Sequence, residues 1–263
     1  MLSKFSAWNA FSLVGFRAII AVLFFGLYRH SFKLKHSLGN WIGGMGIIST
    51  AVLFINANKM TSTANAIVLQ YAMPAVVIAS RTFLFKFKPS KKDMLAVTCV
   101  MIGVLLCFAQ GLGGGAVYGD ILALISSVTW AAVFLATDMR RTNAIDYIFT
   151  GNLVGCVFLL SIPFDPGIAR GGMVGWLIAS AMGLCLSAGY YCFEKGMSSG
   201  ISPAAAAIIA NIEPVLNPLW VFLFLGETLG ALTILGAVVV LATVTWHSVA
   251  KEKASIKGEE YDE

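Results

Sequence analysis

The chain has 263 residues, a formal net charge of +5, and 58% hydrophobic against 12% charged residues. That charged share is about half the share usual in soluble domains, too little to cover a water-soluble fold. The positive balance gathers in short loops between apolar runs, so it reads as a topology signal and not as a nucleic-acid surface.

Nine continuous apolar runs are long enough to cross a hydrocarbon core, which is about 30 Å thick and takes roughly 20 helical residues. They are 8–28, 38–58, 64–85, 94–110, 119–137, 145–163, 173–193, 202–225 and 229–249. Backbone groups in lipid must be satisfied internally, so spans are helices or closed barrels. The runs do not alternate, which selects helices. The expected fold class is all-α, a polytopic membrane protein with nine transmembrane helices. The polar stretch 250–263 is expected to be a disordered cytoplasmic tail.

Taken in chain order, each span carries few polar groups. The first holds Arg17 at mid-span. The second carries Asn56, and the third carries Asn65, Gln70, Tyr71 and Pro74. Asn152, Trp130 and Tyr190 follow in later spans. The eighth span holds Asn211, Glu213, Pro214, Asn217 and Pro218. Each proline removes a ladder bond and frees the carbonyl four residues earlier, at Gln70, Ala210 and Pro214 in turn. Glu213 and Asn217 share a helix face. A charge at a helix centre costs roughly 2.5–3.5 kcal/mol on the insertion scale, so such groups face cavities or partners and mark functional paths. Glu213, Asn217, Asn211, Arg17, Gln70, Tyr71, Asn152, Trp130, Asn56 and Asn65 are therefore the candidate pathway, with Pro74, Pro214 and Pro218 as helix breaks. Arg17 is either a partner of Glu213 or the seat of a substrate anion. Trp130 and Tyr190 read first as packing residues. Arg81, Glu194 and Lys195 lie near span ends, where long side chains snorkel.

With the C-terminus in the cytoplasm, alternate loops place Arg29, Lys33, Lys35, Lys86, Lys88, Lys91, Lys92, Arg140, Arg141, Lys195, Lys251, Lys253 and Lys257 inside. Only Lys4, Lys59 and Arg170 then lie outside, thirteen against three. That bias sets the orientation in a cell (inner or plasma) membrane. Cys99, Cys107, Cys156, Cys185 and Cys192 lie in apolar runs without a CxxC pair, so neither disulfides nor a metal site nor any other cofactor is expected.

The stretch 41–74 parallels 176–214. Each opens with Trp, reaches Lys59 or Lys195, turns through Ser and Thr, and runs through an Ala-rich helix to Pro74 or Pro214. A last helix with a central glycine, Gly103 or Gly236, closes each half. Internal repeats are a mark of secondary transporters. The second half also opens with Gly119-Asp120, carries Trp130-Ala131, and closes with Phe224-Leu225-Gly226-Glu227-Thr228-Leu229 before Leu235-Gly236-Ala237. In these residues the chain resembles the drug/metabolite transporter superfamily, specifically EamA-type permeases, over nearly its whole length. The first half departs from that pattern, reading Phe85-Lys86-Phe87-Lys88-Pro89 where a Gly-Glu pair is expected.

The resemblance implies ten helices in two five-helix halves of opposite topology, with Phe16-Arg17-Ala18 matching the second. Residues 1–110 then form a first repeat of four helices, lacking its first, and 117–249 form a second repeat of five. A start site placed too late explains the gap more simply than a working nine-helix protein. As the signature of the family's outer turn, Glu227 is expected to cap the following helix.

The expected function is secondary transport of a small metabolite or amphipathic compound, amino-acid- or drug-like, by alternating access and in the export direction. The partners are a small-molecule solute and the lipid bilayer, with no nucleic acid. Proton coupling through Glu213 and uncoupled exchange both remain open, as does a homodimer through the GxxxG spacings Gly39–Gly43, Gly111–Gly115 and Gly171–Gly175. The alternatives are a nucleotide-sugar carrier, which calls for more cavity cations than Arg17, and a non-transporting truncated membrane protein. No GxxxxGK[ST] run exists to bind ATP. An enzyme is not expected: His30, His36 and His247 lie in loops or at a span end, and Tyr118-Gly119-Asp120 lacks a second aspartate.

Overall fold

The structure, a computed structural model, describes residues 2–86, 88–114, 116–137, 139, 142–198, 222–224, 226 and 230–257. Its helices are α1 (Leu2–Phe5), α2 (Ala10–Tyr28), α3 (Leu38–Met60), α4 (Thr63–Gln70), α5 (Met73–Phe85), α6 (Lys91–Gly114), α7 (Val117–Thr137), α8 (Ala144–Gly155), α9 (Pro166–Ser198) and α10 (Ala231–Lys257). A 3₁₀ run, Cys156–Phe164, continues α8. The fold is an all-α polytopic membrane protein. Among the described residues, eight segments are long and apolar enough to cross a bilayer. The ninth expected span, 202–225, lies outside the described residues except for 222–224, which are helical.

Local chemistry explains where the elements depart from straight helices. The third span breaks between α4 and α5, where Pro74 sits in the first turn of α5 and cannot donate to the preceding turn. Three-residue bonds tighten the break, Ala72 N to Leu69 O at 3.1 Å and Ala75 N to Ala72 O at 3.0 Å. Ser62 caps α4 by accepting from Asn65 N at 3.1 Å. The sixth span changes pitch at Gly155, and its 9-residue 3₁₀ stretch is longer than the usual three or four residues. α9 is broken at Gly172, with φ 49° and ψ −145°, a conformation that costs glycine little because it has no Cβ.

One expectation is corrected at the C-terminus. α10 continues to Lys257, so 250–257 is helical and not an irregular tail. Lys and Ala are strong helix formers.

The chain divides into two compact units. Unit 1 comprises Met1–Lys59 and Thr129–Lys195; unit 2 comprises Met60–Val128 and Gly196–Glu263. Each draws on both sequence repeats. In unit 1, Trp8, Leu13, Val14, Ile48, Ile55 and Ala179 form one apolar cluster, and Val22, Phe25, Ile47, Ile148 and Phe149 belong to a second. Trp8 meets Trp176 edge to face at 4.6 Å.

Unit 1 also uses two of the GxxxG spacings internally. A Cβ at Gly175 would fall 2.4 Å from the Trp8 indole nitrogen, and one at Gly43 would fall 2.9 Å from the Tyr147 ring. These glycines seat neighbours of their own unit, so they carry no argument for a homodimer. In unit 2, α6 and α10 pack along one another. A Cβ at Gly103 would lie 2.9 Å from Gly236 O, and one at Gly236 would lie 2.6 Å from Gly103 O. The two mid-span glycines that mark the repeat therefore meet each other.

Candidate functional site

Unit 1 holds Arg17, Asn56, Trp130 and Asn152 of the predicted pathway. Arg17 projects from the middle of α2. Its Nε is buried and makes no hydrogen bond, and Tyr190 is an electrostatic neighbour. Asn152 is fully buried. Its amide donates to Ile148 O at 2.8 Å, while its Oδ1 has no partner. Asn56 turns back on its own helix, donating to Val52 O at 2.8 Å. Trp130 and Tyr190 pack against the second apolar cluster, and Trp130 meets Phe134 edge to face at 5.8 Å. Both aromatics therefore pack within unit 1.

Unit 2 holds Asn65, Gln70, Tyr71 and Pro74. Gln70 donates to Ser126 Oγ at 3.3 Å. Asn65 is committed to a buried network. Its Nδ2 donates to Asp120 Oδ1 at 2.6 Å, and its Oδ1 accepts from Thr233 Oγ1 at 3.3 Å. Asn211, Glu213, Pro214, Asn217 and Pro218 lie outside the described residues, as does Glu227.

Three polar groupings escaped sequence reasoning. The first, in unit 1, joins the end of α2 to the start of α8. Arg29 Nη2 lies 3.0 Å from Asp146 Oδ1, with both side chains 7% exposed, and Lys35 Nζ lies 3.2 Å from Asp146 Oδ2. The Arg29 guanidinium also sits 4.5 Å over the Phe149 ring. By sequence, Arg29 and Lys35 count only as loop cations that set the orientation. The one available signal was a carboxylate in the first turn of a helix.

The second grouping, in unit 2, is Asp93 with His247, Oδ1 to Nε2 at 2.6 Å. Ser90 and Asp93 cap α6 reciprocally: Ser90 N donates to Asp93 Oδ2 at 2.9 Å, and Asp93 N donates to Ser90 Oγ at 3.1 Å. The Ser-x-x-Asp spacing carried that cap. The third is the Asp120 network. Lys195, by contrast, is exposed as expected and lies 5.7 Å from the Tyr28 ring centre.

The EamA-like transporter family model matches residues 1–109 and 117–249. An "Uncharacterized transporter" of Archaeoglobus fulgidus is 26% identical over 196 residues, covering 74% of this chain and 70% of that protein. A second "Uncharacterized transporter", of Clostridium kluyveri, is 23% identical over 246 residues, covering 86% of this chain and 78% of that one. A solved crystal structure shares the fold with a TM-score of 0.60 at 17% identity, over 96% of this chain and 90% of the other. The chain, an all-α multi-pass membrane protein matched by the family model in both halves, belongs to the EamA-like transporter family.

Proposed function

We propose that the protein is a secondary transporter in which Arg17 receives an anionic group of a small amphipathic solute, amino-acid- or drug-like. Alternating access moves the solute outward across the cell membrane, with the C-terminus in the cytoplasm. The observation that carries the reading is a guanidinium at mid-span whose Nε is buried without a hydrogen bond. A cation held at that depth is costly, and retaining it marks a solute or ion path. Glu213 supports the same reading from the sequence, as a mid-span carboxylate just before the helix-breaking Pro214 and Pro218, and carries the coupling proton.

The test is flux in proteoliposomes loaded with a mixture of small amphipathic acids and read by mass spectrometry. The wild type is expected to move one or more of them. Arg17→Met loses that flux while keeping its level in the membrane, and Arg17→Lys retains part of it. Glu213→Gln lowers or uncouples flux. Full flux in Arg17→Met removes Arg17 from the path, and full flux at every pH in Glu213→Gln does the same for Glu213. A folded wild type that moves nothing overturns the transport reading.

A further inference from the structure

We propose that Asp120 is a proton-binding site, held at the first turn of α7 by the turn that joins α3 to α4. Asp120 is 0% exposed. Thr61 Oγ1 donates to its Oδ1 at 2.7 Å and Asn65 Nδ2 donates at 2.6 Å. Thr233 Oγ1 donates in turn to Asn65 Oδ1 at 3.3 Å. Its other oxygen, Oδ2, is buried and has no hydrogen-bond partner. One oxygen of the carboxylate is therefore solvated by two neutral donors, and the second by nothing.

An ionised carboxylate in that state is unfavourable, because burying an uncompensated charge costs several kcal/mol. The groups around it do not supply the missing charge. The α3–α4 turn brings Thr61, Thr63 and Asn65, and α10 brings Thr233. α6 brings Cys107, whose thiol donates to Thr233 O at 3.8 Å. On α7 itself, Tyr118 is exposed. Among the described residues no Lys, Arg or His pairs with Asp120. A proton on Oδ2 removes the charge without moving an atom. A metal ion fits less well, since hard cations gather six or more oxygens. Here Thr61 and the Asn65 amide present hydrogens to Oδ1, and Asn65 Oδ1 is already occupied.

The site also has a mechanical consequence. A Cβ at Gly119 would lie 2.9 Å from Thr61 N, so the glycine lets α7 rest directly on the turn and Asp120 fastens it there. Hydrogen bonds to a carboxylate are roughly twice as strong as those to a neutral acceptor. Loading the proton weakens both bonds from Thr61 and Asn65, and releasing it restores them.

The inference does not rest on solute transport, and its test uses no solute. Infrared difference spectra of the full chain are recorded from mildly acidic to mildly alkaline buffer, in choline and in sodium salts. The wild type is expected to show a carboxylic-acid carbonyl band that disappears as pH rises. Asp120→Asn, which keeps the acceptor for Thr61, loses that band. Thr61→Val removes one donor to the charged form, so the band persists about one pH unit higher, a tenfold gain in proton affinity. An unchanged spectrum in Asp120→Asn overturns the proposal, as does an unshifted titration in Thr61→Val. Loss of the band on adding sodium at constant pH also overturns it, in favour of a metal cation. If Asp120→Asn fails to fold, the Thr61→Val titration alone decides.

Discussion

Among the described residues, unit 1 and unit 2 each contain a buried ion pair and, outside it, a charged side chain with a buried polar atom that has no hydrogen-bond partner, and these two side chains differ in sign. In unit 1 the pair is Arg29 with Asp146, and the atom without a partner is Arg17 Nε. In unit 2 the pair is Asp93 with His247, and the atom without a partner is Asp120 Oδ2. Three of the paired groups sit where helices begin or end: Arg29 follows α2, and Asp146 and Asp93 lie in first turns, while His247 lies inside α10. Asp120 lies in a first turn as well, so position along the helix does not separate the paired carboxylates from the unpaired one; a facing cation does. Arg17 lies at mid-span in α2. On the readings proposed above, the guanidinium takes an anionic solute and the carboxylate a proton.

The largest expected effect breaks the paired side of unit 1. Asp146→Ala leaves Arg29 buried without its carboxylate and costs about 3–5 kcal/mol, read as a lost or much lowered melting transition. The double variant Arg29→Met/Asp146→Leu removes both charges and is expected to recover most of that loss. If the double variant melts as low as the single one, the pair is not what holds α2 to α8.

Next in size is the glycine crossing of unit 2. Gly236→Leu places a branched side chain against Gly103 O and Cys107, and overpacking of this kind costs about 1–3 kcal/mol. Gly189→Leu is the control, since a Cβ there meets nothing within 4 Å. Equal melting of the two variants contradicts the close packing of α6 on α10.

Asp93→Ala removes both the His247 contact and the α6 cap, with an expected cost of about 1–2 kcal/mol. His247→Gln keeps the cap and should cost less; the reverse order in thermal melts makes the histidine the senior partner. The smallest change in stability is expected for Arg17→Met, near zero or slightly stabilising, because it deletes an unpaired buried charge. A strong destabilisation there shows that Arg17 serves the scaffold, which would dissolve the contrast between paired and unpaired groups.

The spans were legible because lipid imposes a length and forbids exposed backbone. The break before α5 was legible in Pro74, and the repeat was legible in Gly103 and Gly236, although only the structure shows that these two glycines touch. The Asp120 network was hidden by distance along the chain. Its partners Thr61 and Asn65 stand 59 and 55 residues away, and Thr233 stands 168 residues from Asn65. Asn65 looked like a cavity residue because its type and depth are the same in either role. Arg29 and Lys35 were hidden for a different reason. Loop cations are read by number, and a tally says nothing about Asp146, more than a hundred residues further on. The central carboxylate of the sequence argument, Glu213, is outside the described residues, so its part in the pathway remains a proposal.

The 3₁₀ run from Cys156 to Phe164 bears on the reach of a single span. A 3₁₀ helix climbs about 2.0 Å per residue against 1.5 Å for an α-helix. Nine residues in the tighter coil therefore stretch about 4–5 Å further than the same nine wound as α. The segment beyond Gly155 thus carries the Asp165 end of the span further from α8 than an α-helix of the same residues would, with no residue added.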